Sequence, residues 1–165
     1  MNDAFVKIFF KLDSADWHGS PSETLWAKPL SCADKAAAFE LENSPFYAKG
    51  VSYLDVVRAV KRDGQYEFAG TITPGGHSTY RLLVDHAPDA FEVWWKKLQG
   101  LGCTYESGDF QGKKLFTVDV PATTDIYAVY RILEDGEKQN IWMFEEGHVG
   151  HPLKNKPLAN APGRA

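Results

Sequence analysis

The stretch Gly75-Gly76-His77-Ser78-Thr79 is where residue types and spacing in this 165-residue chain come nearest to catalysis. Paired glycines let a backbone approach a ligand closely or take positive φ, a histidine is a base at neutral pH, and two hydroxyls follow it. Nucleophilic hydrolysis does not follow from this set. A Ser-His-acid relay needs the nucleophile within reach of a base that a third group orients. Ser78 is adjacent to His77, and neighbours on a strand point to opposite faces. No GxSxG elbow is present either. The turn is read as a recognition loop or as a tight hairpin whose hydroxyls satisfy local backbone groups. No catalytic residue is assigned.

Four other groups invite chemistry, and each has a plainer reading. Asn43-Ser44-Pro45-Phe46-Tyr47 is a loop whose amide could read a ligand, or a turn in which Asn43 caps, Pro45 fixes φ and the two aromatics plug a sheet. Asp55 before Val56-Val57 is a carboxylate for acid-base work with Glu42, or a cap ahead of a strand. His148 and His151, with Glu145 and Glu146 upstream, have the donor types of a zinc site, but they sit in a glycine-rich exit with no third His or Cys; no metal and no cofactor is expected. Trp94 and Trp95 suggest stacking, yet Trp94 fits an apolar stripe with Phe91, Leu98 and Leu101 and is expected in the core.

Read in order, Trp26-Ala27, Asn43-x-Pro45-Phe46, Asp55-Val56-Val57 and Gly76-His77-Ser78-Thr79-x-Arg81 form a set of short words. As a set they resemble the bacterial domain-of-unknown-function family 4265. The resemblance covers most of the chain and implies a domain, but it brings no activity.

Composition removes several classes. Hydrophobic residues make up 44% and aromatics 13%, enough for a folded core. No apolar run reaches the roughly 18 residues that span a bilayer, and the start lacks a basic leader, so no membrane partner is expected and a cytoplasmic protein is. Cys32 and Cys103 have no metal or redox spacing and read as free thiols. The net charge of −4 hides a split: without Lys154, Lys156 and Arg164, 15 basic residues face 22 acidic ones, a charge of −7. That opposes nucleic-acid binding, which needs clustered cations, and favours a basic protein partner. Glu134, Asp135 and Glu137 near a helix C-terminus oppose its dipole and are the acidic cluster expected to meet such a partner.

The elements that must hold these groups follow from periodicity. Strands are expected at 5–12, 23–30 (stopped by Pro29), 36–42, 56–61, 66–73 and 78–85, with a loop at 13–21 carrying Trp17-His18 at its tip. Asp63-Gly64 signals a hairpin. Their turn spacing suggests a small, bent antiparallel sheet or partly open barrel. After Pro88 come a helix closed by Gly102, a strand at 113–120, a helix capped by Thr123 or Thr124 and closed by Gly136, and a last strand at 140–145, with room for a short strand near 104–106. The expected plan is therefore α+β: a β-rich lobe over 1–87, a ferredoxin-like (ACT-like) β-α-β-α-β lobe over 79–150 sharing strand 79–85, and a flexible tail over 151–165.

Two functions from different classes are consistent with this reading. One is a non-enzymatic binding protein, such as an immunity-type inhibitor of a basic toxin domain. The other is a ligand-binding or enzymatic domain with a pocket between the lobes, lined by Trp26, Asn43, Tyr47, Asp55, His77 and Arg81. The absence of a P-loop, GxGxxG or zinc spacing favours the first.

Overall fold

A computed structural model describes residues 4–31, 37–85 and 89–154. Period-two alternation organises the first half. In β1 (Val6–Lys11), β2 (Ser22–Ser31), β3 (Ala37–Leu41), β4 (Val56–Arg62) and β5 (Gln65–Thr73), alternate side chains turn inward. Ile8, Phe10, Leu25, Ala27, Phe39, Leu41, Val57 and Ala59 meet there as one core. Four antiparallel pairings form a meander, and a short parallel pairing of β1 with β5, at Ile8–Tyr66 and Phe9–Glu67, closes it into a barrel. An odd number of strands makes the closing pair parallel. Asp63 and Gly64 turn β4 into β5 with φ of 50° and 78°, the left-handed pair that two-residue hairpins use. Pro29 does not end β2 as expected, because a register shift between Pro29 and Ser31 absorbs the missing donor.

The second half is β6 (Ser78–Val84), α1 (Asp89–Gln99), β7 (Thr104–Phe110), β8 (Lys113–Val120), α2 (Ile126–Lys138) and β9 (Met143–His148). Its four strands form an antiparallel sheet in the order β7-β8-β6-β9. Tyr80, Leu82, Phe116, Val118 and Val120 on one face pack with Phe91, Trp95 and Leu98 of α1 and with Ile126, Val129 and Leu133 of α2. The molecule is α+β: mostly β, with two helices and two sheets, one of them closed. Trp95, 6% exposed, is the deeper of the two adjacent tryptophans. Trp94 is only partly covered and carries Lys97 Nζ 3.9 Å above its ring.

Several expectations change here. β6 is not shared between the lobes. It pairs with β8 on one edge and β9 on the other, which leaves no edge for a barrel strand. The short strand near 104–106 is a full seven-residue strand, turned back at Gln111 and Gly112. Asp125, not Thr123 or Thr124, caps α2, accepting from Tyr127 N and Ala128 N, while Thr124 Oγ1 donates to Leu101 O. Gly136 lies inside α2 rather than closing it. The Trp142 indole rests where its side chain would be, so that a Cβ there would meet Cζ2 at 2.4 Å. The tail begins later than residue 151: His151 is buried, with Nδ1 2.6 Å from Ser78 Oγ and Nε2 2.8 Å from Pro121 O. Of the expected tail, 155–165 lie outside the described residues.

Candidate functional site

The sheet face opposite the helices is where the words singled out above converge. Thr79 and Arg81 of β6, Thr117 and Asp119 of β8 and Glu145 of β9 point to this side by strand alternation, and a register shift between Thr79 and Tyr80 sets His148 opposite Thr79 on the same side. The connection from β3 to β4, residues 42–55, lies across it and is hydrogen-bonded to it along its length. Ser44 N donates to Glu106 Oε2 (2.9 Å), Thr117 Oγ1 to Pro45 O (2.7 Å), Arg81 Nη2 to Ala48 O, and Gly50 N to Gly147 O (3.1 Å). Ser52 Oγ then bridges Thr79 Oγ1 at 2.7 Å and His148 Nδ1 at 2.8 Å. On the barrel side, Glu23 accepts the backbone N–H groups of Phe46 (2.6 Å), Tyr47 (3.0 Å) and Ala48 (2.8 Å). A carboxylate gathering three amides is a strong clamp, since hydrogen bonds to a charged group contribute about 1.5–3 kcal/mol each.

Most of the expected site residues belong to this seam. Asn43 Oδ1 accepts Trp26 N (2.8 Å). Asp55, fully buried, accepts Ser52 N at 3.0 Å and Gly75 N at 2.8 Å. Ser78, also fully buried, accepts Gly150 N and contacts His151. The Trp26 ring stands outside the barrel, 47% exposed, with Lys7 Nζ 4.9 Å from its centroid. Asn43 and Asp55 thus spend their polar atoms on backbone amides, and Ser78 on the Gly150 amide and the His151 imidazole, and they do not line a common pocket with Trp26. Among the described residues no group of three or more His, Cys, Asp or Glu is placed to hold a metal; His148 and His151 face different serines.

Two places on this face keep unused chemistry. At one end His77 Nδ1 sits 2.8 and 3.0 Å from the Asp119 carboxylate, with Tyr53 edge-on to the imidazole at 5.4 Å. Burial raises the Asp119 carboxyl, and the His77 contact pulls it partly back. Around Tyr53 stand Glu42, Asp119, Glu40 and Glu106; burial first, and then these four charges, raise its phenol. Glu42 is itself raised by burial and by neighbouring Glu40.

At the other end, loop 13–21 folds back over the sheet. Trp17 Nε1 donates to Glu145 at 3.1 Å, and its ring meets Phe110 and Tyr47 edge-on. Beneath it lies a cavity of about 330 Å³ with Arg81 and Glu145 in its lining. Arg81 is 1% exposed, its Nη1 is a long 3.4 Å from Glu145, and its Nε has no hydrogen-bond partner among the described residues. Burial lowers the guanidinium, while Glu145 and then Glu23 oppose that fall. Gly147 must lack a side chain, because a Cβ there would lie 2.6 Å from Arg81 Nη1. Of the six residues expected to line an inter-lobe pocket, Arg81 alone lines this one. Trp17, Glu23, Ser52, Asp119 and Glu145 were not singled out as site residues from sequence, where only Trp17, as a loop-tip aromatic, and Glu145, beside the two late histidines, left a trace.

Of the acidic cluster on α2, Asp135 and Glu137 are exposed and Glu134 is half-buried. Glu137 Oε2 accepts Phe144 N at 3.1 Å and so also holds β9. Among the described residues no helix is long and apolar enough to cross a membrane.

The same architecture occurs in a hypothetical protein from Neisseria gonorrhoeae known from its crystal structure. The TM-score is 0.73 at 19% identity, over 92% of this chain and 100% of that one, a likeness of fold alone. Among curated proteins no significant match is found. Residues 23–144 match the family described as a domain of unknown function, DUF4265, and the chain belongs to that family.

Proposed function

We propose that the chain is a non-enzymatic, cytoplasmic binding protein that captures a basic protein, in the manner of an immunity protein that neutralises a toxin domain. The observation that carries this reading is the acidic edge at Tyr53. Three carboxylates with access to solvent, Glu40, Glu42 and Glu106, act on one phenol at the lobe boundary, and a fourth, Asp119, is buried against His77. Holding like charges together is locally unfavourable, and a cationic surface relieves it. The −7 body extends the same sign of field, and Asp135 and Glu134 on α2 add acidic residues on the other side of the sheet. The seam also supports the reading, since Ser78, Asp55 and Ser52 are occupied structurally and offer no exposed nucleophile. We further infer that the second unit is ferredoxin-like, from its β-α-β-β-α-β order and its β7-β8-β6-β9 sheet.

The test is association of the purified chain with the product of the neighbouring gene, followed across salt. Glu40→Lys with Glu42→Lys should slow association and flatten its salt dependence while the fold persists, because exposed charges are screened beyond roughly 8–10 Å at physiological salt. Unchanged association after reversal of both the Tyr53 edge and Glu134/Asp135 overturns the charge-steered reading. A catalytic second reading is favoured by one contact, the His77–Asp119 pair, and requires that turnover of some substrate be lost in His77→Ala.

A further inference from the structure

Register sorts the side chains on the barrel side of the second sheet into rows that cross its strands. Thr117 and Arg81 share one row and are tied to segment 42–55 through Pro45 and Ala48. The next row is Gly108, Leu115, Leu83 and Met143, on β7, β8, β6 and β9. Its cover thins from one end to the other. The Phe46 ring lies over Gly108, Leu115 is 2% exposed, Leu83 is half-buried and Met143 is 52% exposed. A cavity of about 330 Å³ touches Leu115, Leu83, Met143 and Trp17. A second, of about 470 Å³, runs past Leu83 and Met143 to Ile141, Asp85 and Glu137 where the sheet ends. The two share Leu83 and Met143, which makes these side chains the floor of one aliphatic groove open to water.

The rim selects the occupant by charge. Asp85 and Glu137 stand at the open end and Glu145 at the Trp17 end. The cations beside them are Lys113, 2.8 Å from Asp85, and the enclosed Arg81, 3.4 Å from Glu145. Three carboxylates thus meet two cations, one of them buried, in a body of charge −7. An acidic ligand would be repelled, whereas a lysine lays its aliphatic stem on the floor and carries its ammonium to the carboxylates. We propose that the Leu83–Met143 groove binds a short extended segment of a basic protein, with an aliphatic side chain on Leu83 and Met143 and a flanking lysine or arginine at Asp85 and Glu137. The proposal rests on the reading of the chain as a binder of a basic protein, and it supplies the apolar anchor that charge alone does not. Interface centres are apolar, and methionine, unbranched, adapts to the side chain it meets. The groove is separate from the Tyr53 edge: Leu115 and Asp119 are four residues apart on β8, about 13 Å.

The probe is the peptide Ac-Lys-Leu-Lys-NH2, compared with Ac-Gln-Leu-Gln-NH2, Ac-Glu-Leu-Glu-NH2 and Ac-Lys-Ser-Lys-NH2, each titrated into the full chain at neutral pH and low salt. The chain has two methionines, so methyl labelling gives two NMR signals, and Met143→Leu assigns them. The Lys-Leu-Lys peptide should move the Met143 methyl signal saturably, in the millimolar range of short peptides. The glutamine and serine versions should bind at least about threefold more weakly, and the glutamate version at least about tenfold. Met143→Lys, at an exposed position, should abolish the response with the melting temperature unchanged. Met143→Gln repeats that test without added charge and should weaken binding several-fold. Reversal of Glu40 and Glu42, which probes the Tyr53 edge, should leave the Met143 response within about twofold, so failure of one site is read apart from failure of the other. No saturable shift at Met143 overturns the groove, as does binding of the glutamate peptide equal to that of the lysine peptide. Undiminished binding in both Met143→Lys and Met143→Gln, or a response lost on reversal of Glu40 and Glu42, overturns it as well.

Discussion

Replacing Asp55 with alanine is the sharpest probe of the seam. Its carboxylate is fully buried and holds two amides, Ser52 N at 3.0 Å and Gly75 N at 2.8 Å. The first fixes the turn before β4, and the second fixes the linker from the barrel into β6. Within that turn Leu54 sits at φ 68°, a conformation that costs a side-chain-bearing residue about 1–2 kcal/mol and persists because its surroundings impose it. Asp55→Ala leaves the buried Ser52 amide unpaired, at about 1–3 kcal/mol, and loses the charged hydrogen bond to the amide of Gly75, an exposed residue that water can partly serve, so a loss of about 2–4 kcal/mol is expected. For a chain of this size that is a fall in melting temperature of roughly 4–16 °C. Asp55→Asn keeps one acceptor oxygen and should lose about half as much. Leu54→Gly in the alanine background should recover up to about 1 kcal/mol by relieving the positive φ. The assay is urea unfolding followed in parallel by tryptophan fluorescence and far-UV circular dichroism. Both curves should move together, because the turn ties the two lobes. A loss below about 1 kcal/mol, or a shift of one signal alone, would refute the view that Asp55 joins the lobes.

Truncation after Gly150 removes the His151 imidazole from Ser78 and Pro121 and should lower stability by about 1–3 kcal/mol, read by the same urea titration; an unchanged midpoint would show that His151 only rests on the surface. Cys103 is buried, and burial pushes its thiol up to about 12. In a Cys32→Ser background it should resist Ellman's reagent at mild alkaline pH until urea unfolds the chain, and rapid labelling of the folded protein would contradict this. Asp119 is a carboxyl raised by folding, so the unfolded chain ionises more readily. Its contribution is complete at acid pH and is lost as pH rises from the ordinary carboxylate range through the raised folded value. In a His77→Ala background, which removes the coupled imidazole, Asp119→Asn should therefore gain stability relative to its parent between about pH 4 and pH 7; a relative loss over that window reverses the sign and refutes it.

Local periodicity was enough to read the strands of the barrel, because a side chain's choice between core and water repeats every two residues and is written at each position. Ile8, Phe10, Leu25, Phe39 and Leu41 declare it without help from elsewhere. The Asp63-Gly64 hairpin and the left-handed Gly102 after α1 are equally local, each fixed by the φ its residues tolerate. The short words of the sequence also identified the family, matched over residues 23–144. What sequence could not assign was the reason those words exist. Asp55, Ser78 and Asn43 look like chemistry in one dimension, and only the folded chain shows their polar atoms already taken, by Ser52 and Gly75, by Gly150 and His151, and by Trp26. The partners are far away in the chain: Glu23 meets Ala48, Thr117 meets Pro45, and Ser52 meets His148. The placement of β6 in one sheet alone was likewise a competition for strand edges, won by β8 and β9 through register that no local pattern encodes. The burial of Arg81 and the Trp17–Glu145 hydrogen bond belong to that same assembly. A side chain is enclosed only when every neighbour has been placed around it, so the setting of Arg81 exists in the tertiary structure and nowhere in the sequence.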